Sequence, residues 1–156
     1  MFKPTIFREY DIRGAADVEL LDLDVVQLGR AFGSYLRRHA GNKISLGRDT
    51  RLSSPRLRDA LIEGLKASGC DVIDLGVVPT PVLYYSVFQL KTDGAVMITG
   101  SHNPPEFNGF KTVCGGSTIH GAAIQQIRRM IETGDLDSGE GTETTADAVT
   151  PYVAEE

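Results

Sequence analysis

Tryptophan is absent from this chain, and cysteine, methionine and histidine number only two, three and three. Cys70 and Cys114 lie far apart in sequence, which excludes a disulfide framework and a paired-cysteine zinc site. Each reads as a small core or near-surface residue. No apolar run is long enough to cross a bilayer, so no membrane partner is expected. The opening Met1-Phe2-Lys3-Pro4 has no apolar signal segment, and the expectation is a cytoplasmic protein. There is no internal repeat at the periods of repeat proteins. Nor is there a surplus of positive charge. The net charge of −5 comes from residues 133–156, which hold seven acidic side chains and no Lys or Arg. Residues 1–132 carry sixteen basic against fourteen acidic side chains. That balance is not the footprint of a nucleic-acid binder, but it permits a local basic site for a small anion.

What is present suits one domain with a core: 156 residues, 41% hydrophobic and 24% charged. Residues 5–14 begin extended and end in a turn. A helix follows, capped by Asp22 or Asp24, with Leu28, Ala31, Phe32, Tyr35 and Leu36 on one face. Arg37, Arg38 and His39 stand in its last turn, where positive charge favours the helix dipole. Residues 43–47 alternate as a strand. Ser54 and Pro55 open a second helix, Ser54 as its cap and Pro55 as its first residue, with Leu57, Ala60, Leu61, Gly64 and Leu65 inward. A strand at 71–76 precedes a helix from Thr80-Pro81 to about Leu90, whose Tyr84, Tyr85 and Phe88 read as packing residues. A last helix at 121–132 turns Ile124, Ile127 and Ile131 inward. Beyond Thr133 the chain becomes acidic and glycine-rich, which predicts a flexible tail or linker over 134–156. The alternation predicts a three-layer α/β/α domain over 1–133 with a mixed, mostly parallel sheet.

One stretch carries the chemistry. Gly94-Ala95-Val96-Met97-Ile98 has the length and composition of a buried strand. Thr99 to Lys111 follows it, with turn residues Gly100, Asn103, Pro104 and Pro105. Ser101 therefore belongs on a loop past the C-terminal end of a core strand, where open α/β sheets bind ligands. The Asn108-Gly109 pair predicts a tight turn that would return Lys111 towards Ser101. A hydroxyl, the His102 imidazole and an ammonium on a stiff loop can carry a phosphoryl group. A serine hydrolase would need a Gly-x-Ser-x-Gly elbow, which Gly100-Ser101-His102-Asn103 does not provide. Arg48, Arg51, Arg56 and Arg58 read either as a solvated basic face or as the electrostatics of a phosphate site.

The string Thr99 to Lys111 closely resembles the phosphoserine loop of the α-D-phosphohexomutases, in particular the phosphomannomutase/phosphoglucomutase branch. Phe7-Arg8-Glu9-Tyr10-Asp11-Ile12-Arg13-Gly14 resembles the N-terminal signature of that branch, and Gly47 to Pro55 a third signature, in the expected order. The resemblance covers residues 4–132 and implies the first of four domains, with a mixed four-stranded sheet. It implies that Ser101 carries the phosphate, that Arg13, His102 and Lys111 are catalytic, and that Tyr10, Arg13 and Lys111 meet the hexose phosphate substrate. It further implies a bisphosphorylated hexose as activator and intermediate. Mg²⁺ would be held by Ser101 and by an aspartate-rich loop of a second domain. No Asp-x-Asp-x-Asp string follows here, so the remaining domains of a parent chain are the expected partners. The fragment alone is expected to be inactive. The competing expectation is a non-catalytic phosphosugar-binding module.

Overall fold

A computed structural model describes residues 2–155. After a single 3-10 turn at Pro4–Ile6 the chain forms β1 (Ile12–Ala15), α1 (Ala16–Glu19), α2 (Asp22–His39) and β2 (Lys43–Arg48). Next come α3 (Ser54–Ala67), β3 (Asp71–Val77), α4 (Thr80–Gln89), β4 (Gly94–Ile98) and β5 (Phe107–Cys114). The last elements are β6 (Ser117–Thr118), α5 (Ala122–Thr133), β7 (Glu143–Thr145) and α6 (Val149–Glu155). One sheet runs β1-β5-β4-β2-β3-β7, with β6 beside β5. It has seven strands rather than four. The additions are short strands at its two flanks: β1 and β6 both pair with β5, and β7 comes from the acidic tail.

The sheet is mixed, with its parallel and antiparallel parts separated. Strands β4, β2, β3 and β7 run parallel, as helical crossovers require. Strand β5 is antiparallel to β4 and β1. Both faces are covered. Val96 and Ile98 of β4 join a core with residues of α2, α3 and α5. Ala95 and Met97 point the other way, into a second core with Val82 and Leu83 of α4 and with Ala148. All five residues of β4 are buried, which explains why its sequence is an unbroken apolar run.

Helices α2 and α3 cross at glycines. A Cβ on Gly64 would lie 2.0 Å from the carbonyl oxygen of Val26, and one on Gly29 would lie 2.4 Å from that of Leu61. Only hydrogen at both positions lets the backbones touch. Helix α2 has Leu21 as its N-cap residue and no side-chain cap; Asp22 and Asp24 sit within its first turn instead, where they complement the dipole. Ser54 does not cap α3 with its hydroxyl either, because that hydroxyl donates to Asp49 at 2.7 Å. On α4 the buried residues are Val82, Leu83 and Ser86, whereas Phe88 is 77% exposed. Tyr85 does pack, edge-on against Tyr152 at 5.5 Å. In α5 the inward residues are Ile124, Ile127 and Met130, with Ile131 half-buried.

The acidic stretch lies along the domain. Arg38 on α2 holds Asp135 at 3.1 Å and Asp137 at 2.9 Å, and Arg30 donates to the Asp137 carbonyl at 2.9 Å. Strand β7 pairs with β3 in register Val72 to Glu143. Arg58 on α3 bridges Asp74 of β3 and Glu143 of β7. Ala148 is buried in the second core.

Candidate functional site

Strand β4 ends between β2 and β5, and the chain leaves it there as a loop, residues 99–106. The ends of the loop are fixed by backbone bonds. Asp49 N–H donates to Ile98 at 2.9 Å, and Thr99 N–H to Gly109 at 3.0 Å. Inside it, Asn103 closes a turn on the Gly100 carbonyl through its backbone N–H at 2.9 Å and its side-chain amide at 2.8 Å. Phe107 N–H reaches Pro104 at 3.0 Å. Ser101 stands exposed at the rim with φ 53°, its N–H on the Thr99 hydroxyl at 3.0 Å. A left-handed conformation is uncommon for a residue with a side chain and persists where the surroundings impose it.

Asn108-Gly109 does not turn the chain. Both residues lie inside β5, Asn108 opposite Gly14 and Gly109 opposite Arg13. The Asn108 amide is fully buried and donates to the hydroxyls of Ser53 and Ser54, each at 2.9 Å. The reversal is made by the whole loop, and Lys111 pairs opposite Met97. Residues directly opposite each other share a face of the sheet, so Arg13, Gly109, Lys111 and Met97 lie on one side. Arg13 and Lys111 are thus brought to the same face near the end of β4. Arg13 pairs with Asp11 at 3.7 Å. His102 is exposed beside Ser101. Tyr10 is 71% exposed, its ring 6.3 Å from that of His120. Among the described residues no hydrogen bond links the Ser101 hydroxyl to His102, Lys111 or Tyr10.

The arginines at and after the end of β2 have partners within the protein. Arg56 binds the carbonyls of Leu20 and Ala16 and the Asp22 carboxylate. Arg58 and Arg48 meet on the buried Asp74. Burial works against the charge on Arg58, but the hydrogen bonds it donates to Asp59, Asp74 and Glu143 outweigh it and push its pKa up. Arg51 is wrapped by the serine loop: it donates to the carbonyls of Ser101, Asn103, Pro104 and Phe107 and to Asp49. Asp49 accepts in turn from the Arg51 and Gly100 backbones and from Ser54. Burial opposes its ionisation. Hydrogen bonds from Ser54, from the Arg51 and Gly100 N–H groups and from Thr99 prevail, holding the carboxyl below its usual range. Sequence reasoning gave Asp49 no role, read Arg51 as part of a solvated basic face or of a phosphate site, and read Asn108 as a turn residue; the only signal for the Asp49–Arg51 pair was an acid two residues before an arginine, directly after a strand.

Burial pushes the thiols of Cys70 and Cys114 up, which keeps them protonated and unreactive at neutral pH. Among the described residues no group of three or more His, Cys, Asp or Glu side chains could hold a metal ion. A groove of about 520 Å³ between Phe2, Phe7, α2 and α5 shares no residue with the serine loop. No helix among the described residues is long and apolar enough to cross a membrane.

Residues 4–138 match the family of phosphoglucomutase/phosphomannomutase, alpha/beta/alpha domain I. A phosphomannomutase/phosphoglucomutase of Pseudomonas aeruginosa is 46% identical over 148 residues, 95% of this chain and 32% of that protein. A phosphoglucomutase of Neisseria gonorrhoeae is 43% identical over 127 residues, 81% of this chain and 28% of that protein. A crystal structure of a phosphoglucomutase/phosphomannomutase family protein from Burkholderia thailandensis superimposes with a TM-score of 0.93 at 40% identity. It covers 98% of this chain and 35% of that one. The chain thus spans about a third of the length of the relatives it matches.

Proposed function

This chain belongs to the phosphoglucomutase/phosphomannomutase family as its domain I, and from that premise we propose that it supplies the phosphoserine half of a hexose-phosphate mutase site. The reaction would interconvert hexose 1-phosphate and hexose 6-phosphate of mannose or glucose. The observation that carries the proposal is Ser101, exposed and left-handed just past the end of β4, near which Arg13 and Lys111 share a face of the sheet. In the forward step the phosphorus–oxygen bond to Ser101 breaks as a sugar hydroxyl forms a new one. The resulting bisphosphorylated hexose turns over and returns its other phosphate to Ser101. Arg13 and Lys111 would stabilise the charge spread over the transferring group, which this chemistry needs more than covalent help. An arginine does not release its proton in a protein, so His102 and Lys111 are the carriers for the hydroxyl proton. Tyr10, mostly exposed before β1, would face the sugar.

Magnesium is implied by the family resemblance. The described residues offer it no carboxylate cluster, and phosphorylated Ser101 alone does not make a site. The described residues by themselves do not fit the ion. We propose that the other ligands belong to further domains of a longer polypeptide, that the domain proper closes at residue 133, and that 134–156 is a linker strapped to it. The isolated chain is then inactive as a mutase, and the setting is the cytoplasm. The lack of a carboxylate cluster also favours the second reading, a phosphosugar-binding module without turnover.

Intact-mass measurement after incubation of a full-length enzyme carrying this domain with a bisphosphorylated hexose separates the two. The expected result is one added phosphate on Ser101, absent in Ser101→Ala. A phosphate that persists in that variant sinks the assignment.

A further inference from the structure

We propose that Arg51 is the positioning residue for Ser101: its guanidinium is the internal scaffold on which the serine loop is moulded, not a ligand of phosphate. The proposal rests on the phosphoserine reading above. A guanidinium has five N–H donors and no acceptor. On Arg51 all five are engaged. Nε donates to Asp49 at 3.2 Å; one terminal nitrogen donates to Pro104 at 2.6 Å and Phe107 at 3.1 Å; the other to Ser101 at 3.1 Å and Asn103 at 2.8 Å. Nothing is left to grip a substrate. Three of the five acceptors are carbonyls of the loop that carries the nucleophile, one of them the carbonyl of Ser101 itself, and a fourth is the carbonyl of Phe107, where β5 begins.

The scaffold is anchored at its base. Asp49 continues β2, its N–H bonded to Ile98 of β4 at 2.9 Å. Its carboxylate holds Arg51 and, through Oδ2, the Gly100 N–H at 3.1 Å, while Ser54 at the start of α3 donates to Oδ1 at 2.7 Å. The loop is therefore held at Gly100 by an acid and from Ser101 to Phe107 by a base, and both stand on the end of one core strand. Gly100 shows how closely the two parts fit: a Cβ there would lie 2.1 Å from the Arg51 guanidinium carbon. A flat fork with donors on three nitrogens can face this ring of carbonyls; a lysine ammonium, with three donors on one nitrogen, cannot. The enforced geometry includes the left-handed backbone of Ser101, which sets the direction in which its side chain leaves the loop.

Two variants test this. Arg51→Lys keeps the charge and loses the fork. Gly100→Ala keeps Arg51 but drives a methyl into it, and carries the same test should Arg51→Lys not fold. Leu52→Ala, at a fully exposed side chain, is the control. In this chain, amide exchange at Ser101, Asn103 and Phe107 should accelerate about tenfold or more in both variants, with α2, α3 and β2 unchanged. In a full-length mutase carrying this domain, kcat should fall about 100-fold, the scale expected for a misplaced reacting group. KM should stay within about threefold, and the fall in kcat should far exceed any loss of folded protein, which by itself lowers apparent kcat at unchanged KM. Unchanged exchange in the loop overturns the proposal, as does full kcat in Arg51→Lys or a kcat loss matched by the loss of folded protein. If the unsubstituted full-length enzyme never carries phosphate on Ser101, the functional reading fails, and the exchange rates alone then decide whether Arg51 sets the loop.

Discussion

Asp49 is one carboxylate shared among several donors, and its protonation would break that sharing. Its folded-state pKa is depressed by hydrogen bonds that outweigh burial. The stability it contributes is therefore complete above the unfolded value, about 3.9 for an aspartate, and is lost as pH falls through the folded value. Acid titration of unfolding should show stability falling below about pH 4. Asp49→Asn should flatten part of that fall and lower stability at neutral pH by about 1–3 kcal/mol, since it leaves buried donors poorly matched. An acid limb identical in the two proteins would show that Asp49 does not titrate with folding. At this scale the loop position of Ser101 was legible in sequence and the bonds that hold the loop were not. Ser101 follows an apolar run and precedes turn residues, a local pattern. Arg51 acts through carbonyls about fifty residues away, which no local pattern encodes.

Between elements, the closest contact is the crossing of α2 and α3. Gly29 and Gly64 face each other there, and a Cβ on Gly64 would stand 2.0 Å from a backbone oxygen that cannot swing aside. In isolated helices alanine is favoured over glycine by about 1 kcal/mol. Here the sign should reverse. Gly64→Ala should destabilise by about 1–3 kcal/mol, the range for overpacking a core, as read by denaturant unfolding. A neutral or stabilising alanine would mean that the helices separate without cost. Sequence reasoning placed Gly64 on the inner face of its helix because the apolar spacing demanded it. It read Asn108-Gly109 as a turn because that pair favours turns, yet the buried bonds from Asn108 to Ser53 and Ser54 keep it extended. Tertiary partners overrode local preference, as they did for Ser54, whose hydroxyl serves Asp49 rather than its own helix.

Across the whole molecule, the charge imbalance along the sequence becomes complementarity in space. Three of the five acidic residues of 134–147 face arginines of α2 and α3: Asp135 and Asp137 meet Arg38, and Glu143 meets Arg58. Composition alone predicted a flexible tail because it records how few apolar side chains the stretch has, not what lies opposite it. The hydrogen bonds from Arg38 hold Asp137 below the usual carboxylate range, against a small burial effect. The contacts are partly exposed. Asp135 has 62% of its side chain in solvent, so each pair is worth only a few tenths to about 1 kcal/mol and is screened by salt. Strand β7 adds ladder bonds to β3, while Ala148 and Tyr152 add apolar contact with α4. The stretch should therefore open before the domain does, and salt should decide how far before. Amide exchange at Thr142, whose N–H donates to the Asp71 carboxylate, and at Ala146, whose N–H donates to the Asp74 carbonyl, should be faster than in β2 or β4. It should accelerate further when ionic strength rises from about 0.01 M to 1 M, as the Debye length shrinks from about 30 Å to 3 Å. Arg38→Ala should reproduce part of that acceleration at low salt. The apolar anchor at Ala148 should respond least, because salt does not weaken apolar burial. Exchange at Thr142 as slow as in β4, and indifferent to salt, would place residues 134–155 within the cooperative core. The proposed boundary at residue 133 would then move to the end of α6.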